Sequence, residues 1–191
     1  MPTRCILAGA ENLRPLMQGD LSRLCGLYSV INAIRLILYP QVLAQSDIQA
    51  LYLHGVRHLA HHRQLNRVMG VGMYDDVWSA LAGRLVEHTN DACGSALKLV
   101  PILAGPAIDQ NRSRALASIR RQIRSPSPVL ISCGGALSHY TVVSGYTDQR
   151  MLLFDSSGLR WLLTDNIGLG ESSSRRHWLT AAGVIALIND W

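Results

Sequence analysis

The chain has 191 residues, 48% of them hydrophobic and 16% charged, with a formal net charge of +5. That length can bury a real core as one domain, residues 1–191, and the composition excludes a disordered or fibrous chain. No apolar run reaches the roughly eighteen residues of a membrane span, since Val30–Leu38 is broken by Asn32 and Arg35, so a soluble protein without a membrane partner is expected.

Met1–Gln18 carries one early arginine and no apolar core of signal-peptide length, which predicts no Sec export and a cytoplasmic location in the producing cell. The four cysteines, Cys5, Cys25, Cys93 and Cys133, form no CxxC or spaced Cys/His set. They read as reduced thiols, with Cys5 and Cys133 packed in strands and Cys93 in a loop.

In Gln18–Asn32, QGDLSRLCGLYSVIN, Gly19-Asp20 makes a turn and Cys25 stands directly before an apolar run. Leu27, Val30, Ile31, Ile34 and Leu38 have the spacing of a buried helix. The thiol therefore falls in a first helical turn. There the helix N-terminus, and any neighbouring imidazolium, favour the thiolate, which is the form that attacks. Cys25 is a candidate nucleophile, although a free cysteine is equally a small buried apolar residue. A partner must decide between the two.

Tyr39-Pro40 closes that helix. Ser46 with Gln49 three residues later predicts a capping box opening a helix through about His62. His54, His58 and His62 then recur every four residues, a spacing that can hold a metal. Arg57 and Arg63 would crowd a cation and no HExxH carboxylate follows, so a solvated histidine face is expected, with neither metal nor cofactor. Arg67–Met73, with GVG, reads as a flexible loop rather than a phosphate cradle. Asp75 or Asp76 starts a helix through Trp78, Leu81 and Leu85 to about His88, making two connecting helices.

Leu97–Leu103 predicts a short strand stopped by Gly105-Pro106. Arg112–Arg124 predicts a helix with Leu116, Ile119 and Ile123 inward, ended by prolines. It carries Arg112, Arg114, Arg120, Arg121 and Arg124, of seventeen arginines set against the single Lys98. A basic face captures phosphates. No aromatic interleaving or recognition motif accompanies this one, so a solvated face is expected rather than a nucleic-acid partner, with an acidic protein partner between those readings.

The C-terminal part reads as a sheet: Val129–Cys133, a Gly-Gly turn, Tyr140–Ser144, Met151–Phe154, Arg160–Thr164 and Gly183–Ile188. Gly168–Ser174, GLGESSS, predicts a mobile loop bordering a cleft. His139 heads the middle strand and Asp155 follows the next, so neighbouring antiparallel strands can bring the two side chains into hydrogen-bond reach. A carboxylate on a histidine fixes its tautomer and stabilises the imidazolium, which is what a general base for Cys25 requires.

The order Gln18, Cys25 at a helix start, His139 at a strand start and then Asp155 resembles the papain-like cysteine peptidases. HYTVVSGYTDQRMLLFDSSG is similar to the His–Asp segment of the C39-like group. The resemblance covers both ends of a catalytic core, while Tyr39–Pro101 matches only as a helical region. It implies an α+β, papain-like fold: a helical half with the catalytic cysteine at a helix N-terminus, packed on an antiparallel β-sheet carrying His and Asp. It also implies that Gln18 is the oxyanion-hole glutamine, acting with the backbone N–H of Cys25. Six residues separate Gln18 from Cys25, one more than is usual in the family, and Arg23-Leu24 precedes the cysteine where Asp or Ser is common. Asn12 and Gln45 therefore stay open as alternative oxyanion donors.

This residue set performs acyl transfer through a thioester. The resemblance weights a cysteine protease acting on a protein substrate, with a glutamine deamidase or an inactive papain-like binding module as alternatives; a transglutaminase would use the same set. A small domain of this kind also resembles bacterial papain-like effectors or toxins, which are delivered into a target cell by a specialised secretion system. That likeness implies an immunity or inhibitor protein covering the cleft.

Overall fold

The computed structural model describes residues 4–19, 23–103 and 111–190. In chain order the elements are β1 (Cys5–Ile6), α1 (Ala8–Asn12), α2 (Cys25–Ile37), α3 (Gln45–His61), α4 (Leu65–Val71), α5 (Asp75–Cys93), β2 (Leu97–Pro101), α6 (Arg112–Arg124), β3 (Val129–Gly135), β4 (His139–Tyr146), β5 (Arg150–Leu153), β6 (Trp161–Leu163), β7 (Ile167–Leu169) and β8 (His177–Asn189). The described residues thus hold six helices and an eight-stranded sheet, an α+β arrangement.

The apolar run after Cys25 forms α2, buried on nearly every side: Leu27, Val30, Ala33 and Ile34 are wholly inaccessible. A helix covered all round belongs at the centre of a fold. It packs against β4, α3 and α5. Trp78 of α5 is also fully buried, and its indole N–H donates to the Gly26 carbonyl at 3.1 Å. Gly26 permits that approach, because a Cβ there would lie 2.9 Å from both the Met73 sulfur and the Trp78 ring.

The sheet runs β2-β8-β3-β4-β5-β6 with antiparallel neighbours; β1 adds to β4, and β7 pairs with β8 in parallel. Every residue of β4 is buried, and both α2 and α6 pack against it. On β8 the register jumps between the Ile131↔Val184 and Cys133↔Leu179 pairs. The extra residues bulge out of the ladder and turn Thr180 toward the cleft, as bulges re-aim side chains.

Several expectations need correction. Helix α3 begins at Gln45 rather than after Ser46, because the Asp47 carboxylate accepts the Ala44 N–H at 3.1 Å and closes the first turn one residue pair earlier. Its histidine face is not simply solvated: His54 stacks on His88 of α5 with ring centroids 4.3 Å apart. His62 caps the helix and lies 4.5 Å from His58 between ring centroids. Arg67–Met73 is mostly helix, α4, anchored by buried Val68 and ended at Gly72 with φ +102, so three helices connect α2 to the sheet. Helix α5 continues past His88 to Cys93, which is helical and not in a loop, and Gly94 ends it in the left-handed conformation at φ +64.

The Gly-Gly pair is the end of β3, not a turn. Gly168 is in β7, so GLGESSS is not wholly loop, and β8 starts at His177, six residues before the expected Gly183. Gly19-Asp20 and the Gly105-Pro106 stop involve residues outside those described. The arginine helix turns Ala115, Leu116, Ile119 and Ile123 inward. Two of its arginines are bound to the fold: Arg112 donates to the Ile167 carbonyl at 2.8 Å and to that of Thr164, and Arg120 to the Asp148 carbonyl at 2.9 Å. Among the described residues no helix is long and apolar enough to cross a membrane, and no group of three or more His, Cys, Asp or Glu is arranged to hold a metal.

Candidate active site

Strand register explains how residues sixteen apart meet. The pair Val143↔Leu153 is followed by a Phe154 N–H donating to the Val142 carbonyl at 2.9 Å, so β5 is prolonged alongside β4. Continuing that register sets Asp155 opposite Thr141, and His139 is its diagonal neighbour on the same face. His139 Nε2 and Asp155 Oδ2 are 2.7 Å apart, with both side chains buried.

The carboxylate is fully occupied. Its other oxygen, Oδ1, accepts the Ser157 N–H at 2.8 Å, the Ser157 hydroxyl at 2.7 Å and the Leu159 N–H at 3.1 Å. Burial alone would raise the pKa of Asp155, but the hydrogen bond and charge of His139, with the Ser157 hydroxyl, hold it well below the ordinary carboxylate range. An ionised carboxylate only accepts, so Nε2 of His139 carries the proton and Nδ1 is left for the thiol.

Cys25 completes the set. Its thiol hydrogen-bonds to the His139 ring. Burial pushes the thiol pKa up, yet the His139 hydrogen bond, the Tyr140 backbone N–H, the His139 charge and the Gly26 backbone N–H together bring it below the ordinary cysteine value. Helix α2 has no acidic residue in its first turn to oppose this. His139 moves the other way. Burial lowers its pKa, but the bonds to Asp155 and Cys25 and their charges raise it from 6.5 to about 9. The thiol comes down and the imidazole goes up, which is the condition for a thiolate–imidazolium pair. Cys133, opposite His139 on β3, is a contrast: burial alone pushes its thiol up to about 12.

Gln18 lines the same cleft as Cys25 and His139. Its backbone N–H donates to the Ser156 carbonyl at 2.9 Å, fastening it to the loop that carries Asp155. Its side-chain oxygen is buried without a hydrogen-bond partner among the described residues. The two alternative donors are elsewhere. Asn12 is exposed on α1 and spends its amide on the Ala8 carbonyl at 2.8 Å, while Gln45 opens α3, and neither lines the cleft. The structure thus brings Gln18, Cys25, His139 and Asp155 together and leaves Asn12 and Gln45 outside.

The cleft measures about 810 Å³. One wall is the α4–α5 junction, Val71–Asp76; the other is the end of β3 with Trp178, Thr180 and Glu171, so the GLGESSS segment does border it. The floor is tied by Tyr140, whose hydroxyl lies 2.9 Å from both the Met73 carbonyl and Asp75 Oδ1. Thr180 donates to Asp75 Oδ2 at 2.7 Å. None of these supports was read from the sequence. Tyr140, a phenol directly after His139, is the one signal the sequence holds for them.

No family model matches the chain, and neither a curated protein nor a solved structure was found to match it.

Proposed function

We propose that the chain is a papain-like cysteine hydrolase that cleaves a peptide bond in a protein substrate. The observation that carries this reading is His139 held between the Cys25 thiol and the buried Asp155 carboxylate. The papain-like part is supported by chain order and placement: the thiol at the start of a central helix, the base at the start of the strand packed on it, the carboxylate after the neighbouring strand.

In this mechanism the Cys25 thiolate attacks the scissile carbonyl carbon, and a C–S bond forms while the C=O electron pair moves onto oxygen. The Gln18 side-chain amide and the Cys25 backbone N–H face that oxyanion. His139, protonated, gives its proton to the leaving amine as the C–N bond breaks, leaving a thioester. It then takes a proton from water, whose oxygen attacks the thioester, and the carboxylic acid leaves as Cys25 is released. Asp155 keeps the ring oriented through both halves and remains ionised.

The test compares wild type with Cys25→Ala on a whole-cell protein extract, reading new N-termini by mass spectrometry. New termini with wild type alone are expected. Glutamine-to-glutamate conversion without new termini would replace the protease with a deamidase, and neither change would overturn the enzymatic reading.

A further inference from the structure

We propose that Asn32 is the positioning residue for Gln18, a buried carboxamide on α2 that clamps the main chain just before it. This rests on the reading of Gln18 as the oxyanion donor. Asn32 is wholly inaccessible. Asparagine is disfavoured inside a helix, and a buried amide without partners is destabilising. Here both ends are used, and by one residue: Oδ1 accepts the Leu16 N–H at 2.8 Å, and Nδ2 donates to the Leu16 carbonyl at 3.2 Å.

Arg35, one turn on, reinforces the clamp by donating to Asn32 Oδ1 at 3.3 Å and to the Arg14 carbonyl at 2.8 Å. The described chain from Leu13 to Gly19 is neither helix nor strand, so bonds such as these fix its course. Asn32 follows Cys25 by seven positions, two helical turns, and so lies on the same side of α2 about 10 Å further along. Two residues of extended chain from Leu16 cover about 7 Å, which returns Gln18 toward the thiol. The Gln18 N–H then meets the Ser156 carbonyl. Gln18 is thereby referenced to the helix of the nucleophile on one side and to the loop of Asp155 on the other.

The test needs no natural substrate, because two reagents separate the roles at Cys25. Acylation by p-nitrophenyl acetate passes through an oxyanion: the thiolate adds to the ester carbonyl, the C–S bond forms and p-nitrophenolate leaves. Alkylation by iodoacetamide displaces iodide and forms no oxyanion. Gln18→Ala is expected to slow acylation about 100-fold. Asn32→Ala is expected to slow it at least ~10-fold, to leave alkylation within about twofold, and to add nothing to Gln18→Ala in the double variant, because the two act as a unit. Faster hydrogen exchange at the Leu16 amide should accompany Asn32→Ala.

Asn32→Asp keeps the acceptor for the Leu16 N–H with Arg35 beside it, and should recover part of the acylation rate. Asn32→Leu, with the same branched shape and no polar end for Leu16, carries the alanine comparison if Asn32→Ala does not fold. Acylation lost in Gln18→Ala but kept in Asn32→Ala or Asn32→Leu would overturn this proposal alone. Acylation and alkylation falling in parallel would make Asn32 a packing residue and overturn it too. Unchanged acylation in Gln18→Ala, or none at Cys25 in wild type, would overturn the reading of the site as well.

Discussion

Replacing Asp155 with asparagine should do more damage here than its near-identical shape suggests. The Oδ1 position receives three donors, from Ser157 and Leu159, so it must remain an oxygen. An asparagine therefore has to turn its NH2 toward His139 Nε2, where Oδ2 now accepts at 2.7 Å. The amide can donate to an unprotonated Nε2 but repels an N–H there. The ring is driven into the opposite tautomer, with Nδ1–H facing the thiol and unable to accept its proton.

The rise of the His139 pKa from 6.5 to about 9 corresponds to about 3 kcal/mol in favour of the imidazolium. Asp155 supplies the largest raising contribution and Cys25 the rest, so without the carboxylate that preference shrinks and the protonated fraction at about pH 7.5 falls from nearly complete. An NMR titration of the His139 ring in wild type and Asp155→Asn measures this directly. A midpoint near 9 is expected in wild type and a clearly lower one in the variant. An unchanged midpoint in Asp155→Asn would refute the orientation argument.

The same groups set the pH dependence of stability. His139, raised in the fold, contributes stability that is fully present below pH 6.5 and lost as pH rises through about 9. Asp155, depressed, contributes above its ordinary 3.8 and loses that contribution as pH falls. The depressed Cys25 thiol contributes with the opposite sign up to its ordinary value, so the decline is read in Cys25→Ala: denaturant midpoints there should fall from pH 7 to 10, and fall less when Asp155→Asn is added. Arg112→Ala should cost about 2 kcal/mol by urea melt, because it strips a charged donor from the Ile167 and Thr164 carbonyls, whereas exposed Arg114→Ala should stay within about 0.5 kcal/mol. Equal losses would mean the helix matters only for its charge. Gly135→Ala should destabilise by about 1–3 kcal/mol, since φ is +77 and a Cβ would sit 2.5 Å from the Arg176 carbonyl oxygen. A neutral melt would contradict that geometry.

What was legible in the sequence follows from which signals are local. The 3.6 spacing of Leu27, Val30, Ile31 and Ile34 placed Cys25 at a helix start, and turn residues around Tyr140–Ser144 and Met151–Phe154 placed His139 and Asp155 on adjacent strands. Gly70 and Gly72 concealed α4, because one glycine sits inside the helix and only the second ends it. The first half of β8 was hidden by Arg175 and Arg176 next to it and by the small residues of the bulge, while its burial depends on β3 and β7, far off in sequence. The donors around Asp155 and the Tyr140–Asp75–Thr180 ties join distant segments, which no local pattern reports. Asn32 was visible only as an interruption in an apolar run; its partners, the main-chain atoms of Leu16, carry no residue signature at all.

The thiolate–imidazolium pair is the centre of the account, and the rate of iodoacetamide alkylation at Cys25 from pH 4 to 10, followed by mass on the intact protein, tests it most directly. The account predicts that reactivity rises with a midpoint below the ordinary range of a thiol, that His139→Ala moves the midpoint up into that range of about 8.5 or higher, and that Cys133 stays unreactive throughout. A single midpoint at the ordinary value in both proteins would contradict it.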